Sequence, residues 1–264
     1  MALFQNPLKA KLADGKCLLG IWSVLPSALL TELFGYSGFD FQILDMEHGT
    51  YDLGSVADGI RAAEGTGCSP LVRVPGRNPF VIQPVLDAGA HGVVVPQVQS
   101  AADAREIVAQ MLFAPEGTRG YNPFTRVSQY CPPAALPAGK LDSSFPFLCL
   151  IIETENAFAE IDQILAIPRL DAIYLGVYDL SMALGLNGNT RHPRIQQIVG
   201  ESIRKAKQVK KSIGLMVRNS EEMGAAVNAG ADMLLVGVDS ALIHSSVSST
   251  VQTFRNLADL RRET

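Results

Sequence analysis

Phe147-Leu148-Cys149-Leu150-Ile151-Ile152-Glu153-Thr154-Glu155 is a short, nearly unbroken apolar run that stops in acid. A run of this kind reads as a strand buried on both faces, as in a parallel sheet. Outward from it, Leu18–Val24, Phe41–Asp45, Pro70–Val74, Gly92–Pro96, Ala172–Gly176, Ile213–Val217 and Met233–Gly237 share that character, which with Phe147–Glu153 makes eight strands. Amphipathic stretches lie between them, among them Ser55–Glu64, Ala101–Leu112, Ala157–Leu165, Gln196–Val209 and Ser220–Asn228. Eight strands alternating with helices, without a break in composition, predict a single (β/α)8 TIM-barrel domain over residues 1–264. A doubly wound sheet has the same local grammar. However, no GxGxxG or GxxxxGK[ST] follows a strand, whereas polar residues recur just after several strands, where barrel active sites are built.

The length, 264 residues, suits one barrel, and 47% hydrophobic with 18% charged residues marks a core-rich globular chain. The net charge is -4, and the basic group Lys205, Lys207, Lys210 and Lys211 has the spacing of a solvated helix face, so nucleic acid is not an expected partner. No apolar run reaches membrane-spanning length, and Met1–Gly15 carries Lys9, Lys11 and Asp14 with no signal-peptide core. Cys17, Cys68, Cys131 and Cys149 are far apart and form no CxxC, which points to a reducing, cytoplasmic compartment. The long irregular stretch Phe113–Phe145 is expected to be a lid or an inter-subunit contact. Ser240–Arg262 reads as one or two closing helices.

In a barrel the ends of strands two, three, five and six surround one mouth. They read Leu44-Asp45-Met46-Glu47-His48-Gly49, Leu71-Val72-Arg73-Val74-Pro75, Ile151-Ile152-Glu153-Thr154-Glu155 and Leu175-Gly176-Val177-Tyr178-Asp179. Glu153 and Asp179, carboxylates on neighbouring strands, suit a hard divalent cation such as Mg²⁺ or Mn²⁺, with Co²⁺ also open. Glu155 competes with Glu153 but is better placed to start the next helix. Arg73, alone in an apolar strand, is a cation aimed at a carboxylate or at developing enolate charge. His48 with Asp45 offers a base and its orienting carboxylate. Glu47 is expected to point off the other face. The glycine-led turn Gly176–Asp179 exposes the amides of Tyr178 and Asp179 to a small carboxylate. His91, His192 and His244 receive no chemical role. These parts describe aldol cleavage and its reverse: a metal-held 2-oxo acid, an enolate shared with Arg73, and proton transfer by His48.

The chain from Leu19-Gly20-Ile21-Trp22 to Val238-Asp239 resembles the HpcH/HpaI aldolase family of the pyruvate/phosphoenolpyruvate barrel superfamily. Asp45-x-Glu47-His48, Val72-Arg73, Val95-Pro96-Gln97-Val98-Gln99, Pro115-x-Gly117-x-Arg119-Gly120, Ile152-Glu153-Thr154 and Asp179-Leu180-Ser181 carry the resemblance, in order. The resemblance implies a class II aldolase with a divalent metal on Glu153 and Asp179. It also implies pyruvate enolate held by Arg73, His48 as base held by Asp45, and substrate contacts from Trp22, Gly176 and Tyr178. Pyruvate or another 2-oxo acid would react with an aldehyde in a homo-oligomer, a hexamer or trimer, whose C-terminal helix is exchanged between neighbours. Two departures stand out. Ile151 occupies the place of a family Gln two residues before the metal Glu, and the usual Gly-Pro before the metal Asp is here Gly176-Val177, followed by Tyr178, which is bulkier than the usual small residue. Tyr121-Asn122-Pro123-Phe124-Thr125-Arg126 also differs and is expected to shape the acceptor pocket.

Three rivals remain. A class I aldolase needs a strand lysine for a Schiff base, and none of the eight lysines falls in a strand candidate. A citrate-synthase-like condensing enzyme on the same scaffold would keep the metal and Arg73. A small-acid-binding protein would have lost a ligand or the base.

Overall fold

The computed structural model describes residues 5–130 and 145–260. It is the (β/α)8 barrel that the sequence predicts. Eight parallel strands, β1 (Leu18–Ser23), β2 (Phe41–Asp45), β3 (Ser69–Arg73), β4 (Gly92–Val95), β5 (Phe147–Ile152), β6 (Ala172–Leu175), β7 (Ser212–Met216) and β8 (Met233–Val238), pair in chain order, and β8 closes on β1. Observed strand ends differ from the sequence reading by one residue at several places, so Glu153 lies just past β5 and Gly176 just past β6.

The period of two along each strand sorts side chains into two cores. Phe41, Ile43, Leu71, Val94, Phe147, Cys149, Ile151, Ala172 and Tyr174 point into the barrel and form one cluster. Leu44, Val72, Val93, Val95, Leu148, Leu150, Ile152, Ile173 and Leu175 point out and pack against the helices. Continuing the inward series one step puts Asp45, Arg73, Glu153 and Gly176 at the top of the barrel interior. Hence the strand register itself gathers the candidate site.

The outer layer consists of α2 (Ala28–Tyr36), α3 (Leu53–Gly65), α4 (Pro79–Asp87), α5 (Ala101–Met111), α6 (Glu155–Ala159), α7 (Ile161–Leu165), α8 (Val177–Ala183), α9 (Pro193–Gln208) and α10 (Ser220–Ala229). The stretch read as one helix, Ala157–Leu165, is two short helices broken at Glu160, whose backbone leaves helical geometry. An additional helix, α1 (Pro7–Ala13), capped by Asn6, drops the fully buried Leu8 into the bottom of the barrel. The closing segment is one helix, α11 (Asp239–Leu260), which leaves the barrel with its apolar residues Ile243, Val247, Val251 and Phe254 exposed. In the irregular stretch, a 3-10 turn at Arg126–Ser128 is tied down by Arg126, which pairs with Glu64 and donates to the Ala88 carbonyl at 3.2 Å. Residues 131–144 of the expected lid, with Cys131 and Lys140, lie outside the described residues.

Candidate active site

The mouth at the carboxyl ends of the strands holds a cavity of about 230 Å³, lined by Trp22, Asp45, His48, Arg73, Glu153 and Asp179 among others. Arg73 is its centre. The guanidinium donates through Nε to Asp45 Oδ1 at 2.9 Å and through a second nitrogen to Asp45 Oδ2, and it pairs with Glu47 Oε2 at 3.0 Å. Its carbon lies 4.5 Å from the centre of the Trp22 ring, and Trp22 is fixed edge-on against Tyr174 at 5.6 Å. A fork held on two sides and stacked on a face cannot swing away, so its charge is preorganised toward the cavity.

Asp45 differs in role from the sequence reading. Its buried carboxylate grips Arg73 and accepts the backbone N–H groups of Glu47 and His48 at 2.9 and 3.1 Å. It thus shapes the turn that carries His48, rather than orienting the imidazole. The carboxylate beside the His48 ring is Glu47, with Oε2 3.9 Å from Nε2, and the ring itself is exposed. Glu47, expected on the other face, is instead part of the site, because the turn forced by Asp45 brings it back beside Arg73.

Glu153 and Asp179 face the cavity together. Burial pushes the Glu153 carboxyl up, and the neighbouring charges of Asp179 and Glu47 push it further, opposed by the Gln97 N–H and by Arg73. Gly176 makes this approach possible: a Cβ there would lie 2.6 Å from Glu153 Cβ and 3.1 Å from Glu153 Oε2. After Gly176, α8 starts with no side chain capping it, and its first-turn residues Val177, Tyr178 and Asp179 line the cleft. Ile151, almost fully buried, gives the cleft an apolar floor. Glu155 starts α6 and pairs with Arg194, away from the cavity.

Sequence reasoning missed Gln97. Its backbone N–H donates to Glu153 Oε1 at 2.6 Å, and its side-chain amide donates to Glu47 Oε1 at 2.8 Å. It does so from a left-handed conformation, φ 58°. Gln97 stands in the quoted motif Val95-Pro96-Gln97, but a left-handed glutamine has no sequence signal beyond that position. Asp239 was also unassigned. It is fully buried and accepts the N–H groups of Val24 and Leu25 at 3.1 and 3.0 Å, which fixes the strand end that carries Trp22.

Among the described residues no group of three or more His, Cys, Asp or Glu side chains is arranged to hold a metal. Two carboxylates with open positions beside them still fit Mg²⁺ or Mn²⁺. These ions keep several waters and take one or two protein carboxylates.

A parallel barrel with a clamped arginine and crowded carboxylates at the strand ends is the frame of a barrel enzyme, whose site lies at the carboxyl ends of its strands. Residues 18–246 match the model of the HpcH/HpaI aldolase/citrate lyase family, and the chain belongs to that family of aldolases and lyases. It is 31% identical to the hydroxypyruvate/pyruvate aldolase of Roseobacter denitrificans, over 90% of this chain and 93% of that one. It is also 31% identical to the 5-keto-4-deoxy-D-glucarate aldolase of Salmonella paratyphi C, over 96% and 98%. In structure it is similar to the citrate synthase SbnG, with a TM-score of 0.86 and 28% identity over 97% of this chain and 100% of that one.

Proposed function

We propose that the chain is a divalent-metal-dependent class II aldolase that makes or cleaves 4-hydroxy-2-oxo acids through a pyruvate-type enolate. The observation that carries this reading is the single cavity faced by Arg73 on one side and by Glu153 with Asp179 on the other. Glu153 and Asp179 would hold Mg²⁺ or Mn²⁺. When bound, the cation supplies Lewis acidity to the keto oxygen of a 2-oxo acid. Arg73, locked by Asp45 and Glu47, stabilises the negative charge that develops as the carbon acid loses its proton or the carbon–carbon bond breaks. The first-turn amides of α8 receive the substrate carboxylate. His48, exposed at the rim, gives or takes the proton on the acceptor oxygen. Trp22 and Tyr174 keep the donor end of the cleft apolar.

The projecting α11 supports a homo-oligomer. An amphipathic helix with its apolar stripe in water is stabilised when another copy covers it, and α2 presents a matching exposed stripe, Leu29, Leu33 and Tyr36. No helix among the described residues is long and apolar enough to cross a membrane. The free thiols of Cys17, Cys68 and Cys149 support a cytoplasmic setting.

Ile151 and the likeness to a citrate synthase favour a second reading, a condensation in which an acyl thioester supplies the enolate and the keto carbon of a 2-oxo acid takes the place of the aldehyde. One experiment separates the two. The protein is stripped with a chelator, restored with Mg²⁺ or Mn²⁺, and assayed for oxaloacetate decarboxylation, for pyruvate addition to short aldehydes, and for condensation of oxaloacetate with acetyl-CoA. Metal-restored aldol turnover that disappears in Glu153→Ala and Arg73→Ala is expected. Acetyl-CoA condensation without aldol turnover would replace the first reading by the second.

A further inference from the structure

A second cavity, of about 400 Å³, lies between α9, α10 and the outer face of β7. It is larger than the catalytic cleft and within the range of small-molecule sites. Its walls come from two patterns in the sequence. Small residues, Gly200 on α9 and Ala225, Ala226 and Ala229 on α10, line the space between the helices and leave it unfilled. A Cβ built on Gly200 meets nothing within 4 Å. The floor is apolar, formed by Leu215 and Val217 of the β7 segment and by Ile203.

The mouth is charged. Arg191 and Arg218 both bind the single carboxylate of Glu222, at 3.1 and 3.0 Å, so the three charged residues of the lining sum to one positive charge. Arg218 also reaches the Thr190 hydroxyl and the Tyr178 hydroxyl, each at 3.3 Å. The backbone of α10 begins at the same point, with its positive dipole end toward the mouth. An apolar chamber closed by one surplus guanidinium charge matches a molecule with an apolar body and one anionic head.

We propose that the groove between α9 and α10 is a binding site for an amphiphilic monocarboxylate, whose apolar chain lies over Leu215, Val217 and Ile203 and whose carboxylate is taken by Arg218 and Arg191. The site is separate from the reacting centre, and it adjoins it: Val177 and Met216 line both cavities. Arg218 holds Tyr178, itself a lining residue of the catalytic cleft. The proposal stands on this geometry alone and does not depend on the aldolase reading.

Isothermal titration of the full chain with octanoate, octan-1-ol and acetate tests it, because the three probes separate chain from head group. Gly200→Leu fills the chamber, and it replaces a helix-weakening residue by a good helix former, so the variant folds. Arg218→Gln removes the surplus charge from an exposed position. Octanoate is expected to bind roughly tenfold or more tighter than either octan-1-ol or acetate, and to lose roughly tenfold or more in each variant. Absence of octanoate binding, equal affinity for octan-1-ol, or wild-type affinity in either variant would overturn the proposal.

Discussion

The two ends of this barrel are built from the same eight strands and treat charge in opposite ways. At the amino end, acids just before the strands are consumed by the fold. Asp40, Asp171 and Asp232 accept the backbone N–H groups of Leu19, Leu148 and Ile213 at 3.1, 2.8 and 3.0 Å, each tying one strand start to its neighbour. Each also has a lysine, Lys11, Lys9 and Lys207 in turn. At the carboxyl end, Arg73 is spent on Asp45 and Glu47, and among the described residues no ion pair engages Glu153 or Asp179. One end therefore balances its charge within the chain, and the other keeps a surplus of negative charge facing a cavity. Acids that the fold satisfies are structural. Acids that it gathers without an ion pair mark a candidate site for a bound cation.

The strongest way to break this contrast is Arg73→Ala. Among the described residues it removes the one Arg or Lys that pairs within the upper cluster, and it leaves the buried Asp45 carboxylate without its ion-pair partner. Loss of roughly 3–5 kcal/mol of stability is expected from chemical denaturation. Turnover per folded molecule should fall by roughly 10²–10³-fold. Arg73→Lys keeps the charge and loses the fork, so it should recover part of the stability and little of the rate. Next comes Gly176→Ala. The added methyl must displace Glu153, so Mn²⁺ affinity measured by titration should weaken by roughly 10–100-fold, with a small change in melting temperature. An unchanged affinity would show that Glu153 does not hold the metal.

At the opposite end the expectations reverse. Asp40→Ala removes the partner of Lys11 and of the Leu19 N–H, and should cost about 1–3 kcal/mol of stability. Its kcat/KM should match wild type in the folded protein. A matched loss of rate would mean that the two ends are coupled through β1 and β2, and the contrast would fail.

How much of this was legible beforehand follows from what each level of structure requires. The eight strands were legible because burial on both faces forces continuous apolar runs, and the period of two then fixes which side chains share the mouth. That is why Asp45, Arg73, Glu153 and Asp179 could be grouped from residue order alone. Their partners within the mouth were less legible. The turn after β2 folds back under the pull of the Asp45 carboxylate on two amides, and this carries Glu47 into the site against the simple alternation of the strand. Gln97 acts through a left-handed backbone that no residue other than glycine announces. The helix α1 begins at an asparagine cap and a proline, but its burial depends on a fit of Leu8 into the barrel floor that only the closed sheet creates.

The smallest expected effect sharpens the contrast most directly. In the folded chain the Glu153 carboxyl is held above its ordinary value, by burial first and then by Asp179 and Glu47. A raised carboxyl makes its stabilising contribution below the ordinary glutamate value, and loses it as pH climbs through the folded one. Above the folded value the metal-free protein carries an ionised Glu153 at the expense of its own stability. Glu153→Gln removes that penalty and keeps an oxygen for the Gln97 N–H. In the presence of a chelator its melting temperature should exceed wild type by about 1–3 °C at pH 7. The gain should shrink toward zero as pH falls below the ordinary glutamate value, to about 3, where the wild-type carboxyl is protonated in both states. With saturating Mn²⁺ the order should invert, because the cation stabilises only the wild-type carboxylate. Glutamine that stabilises equally at both pH values would mean that packing, not charge, sets the difference, and the upper cluster would then carry no stored repulsion for a cation to relieve.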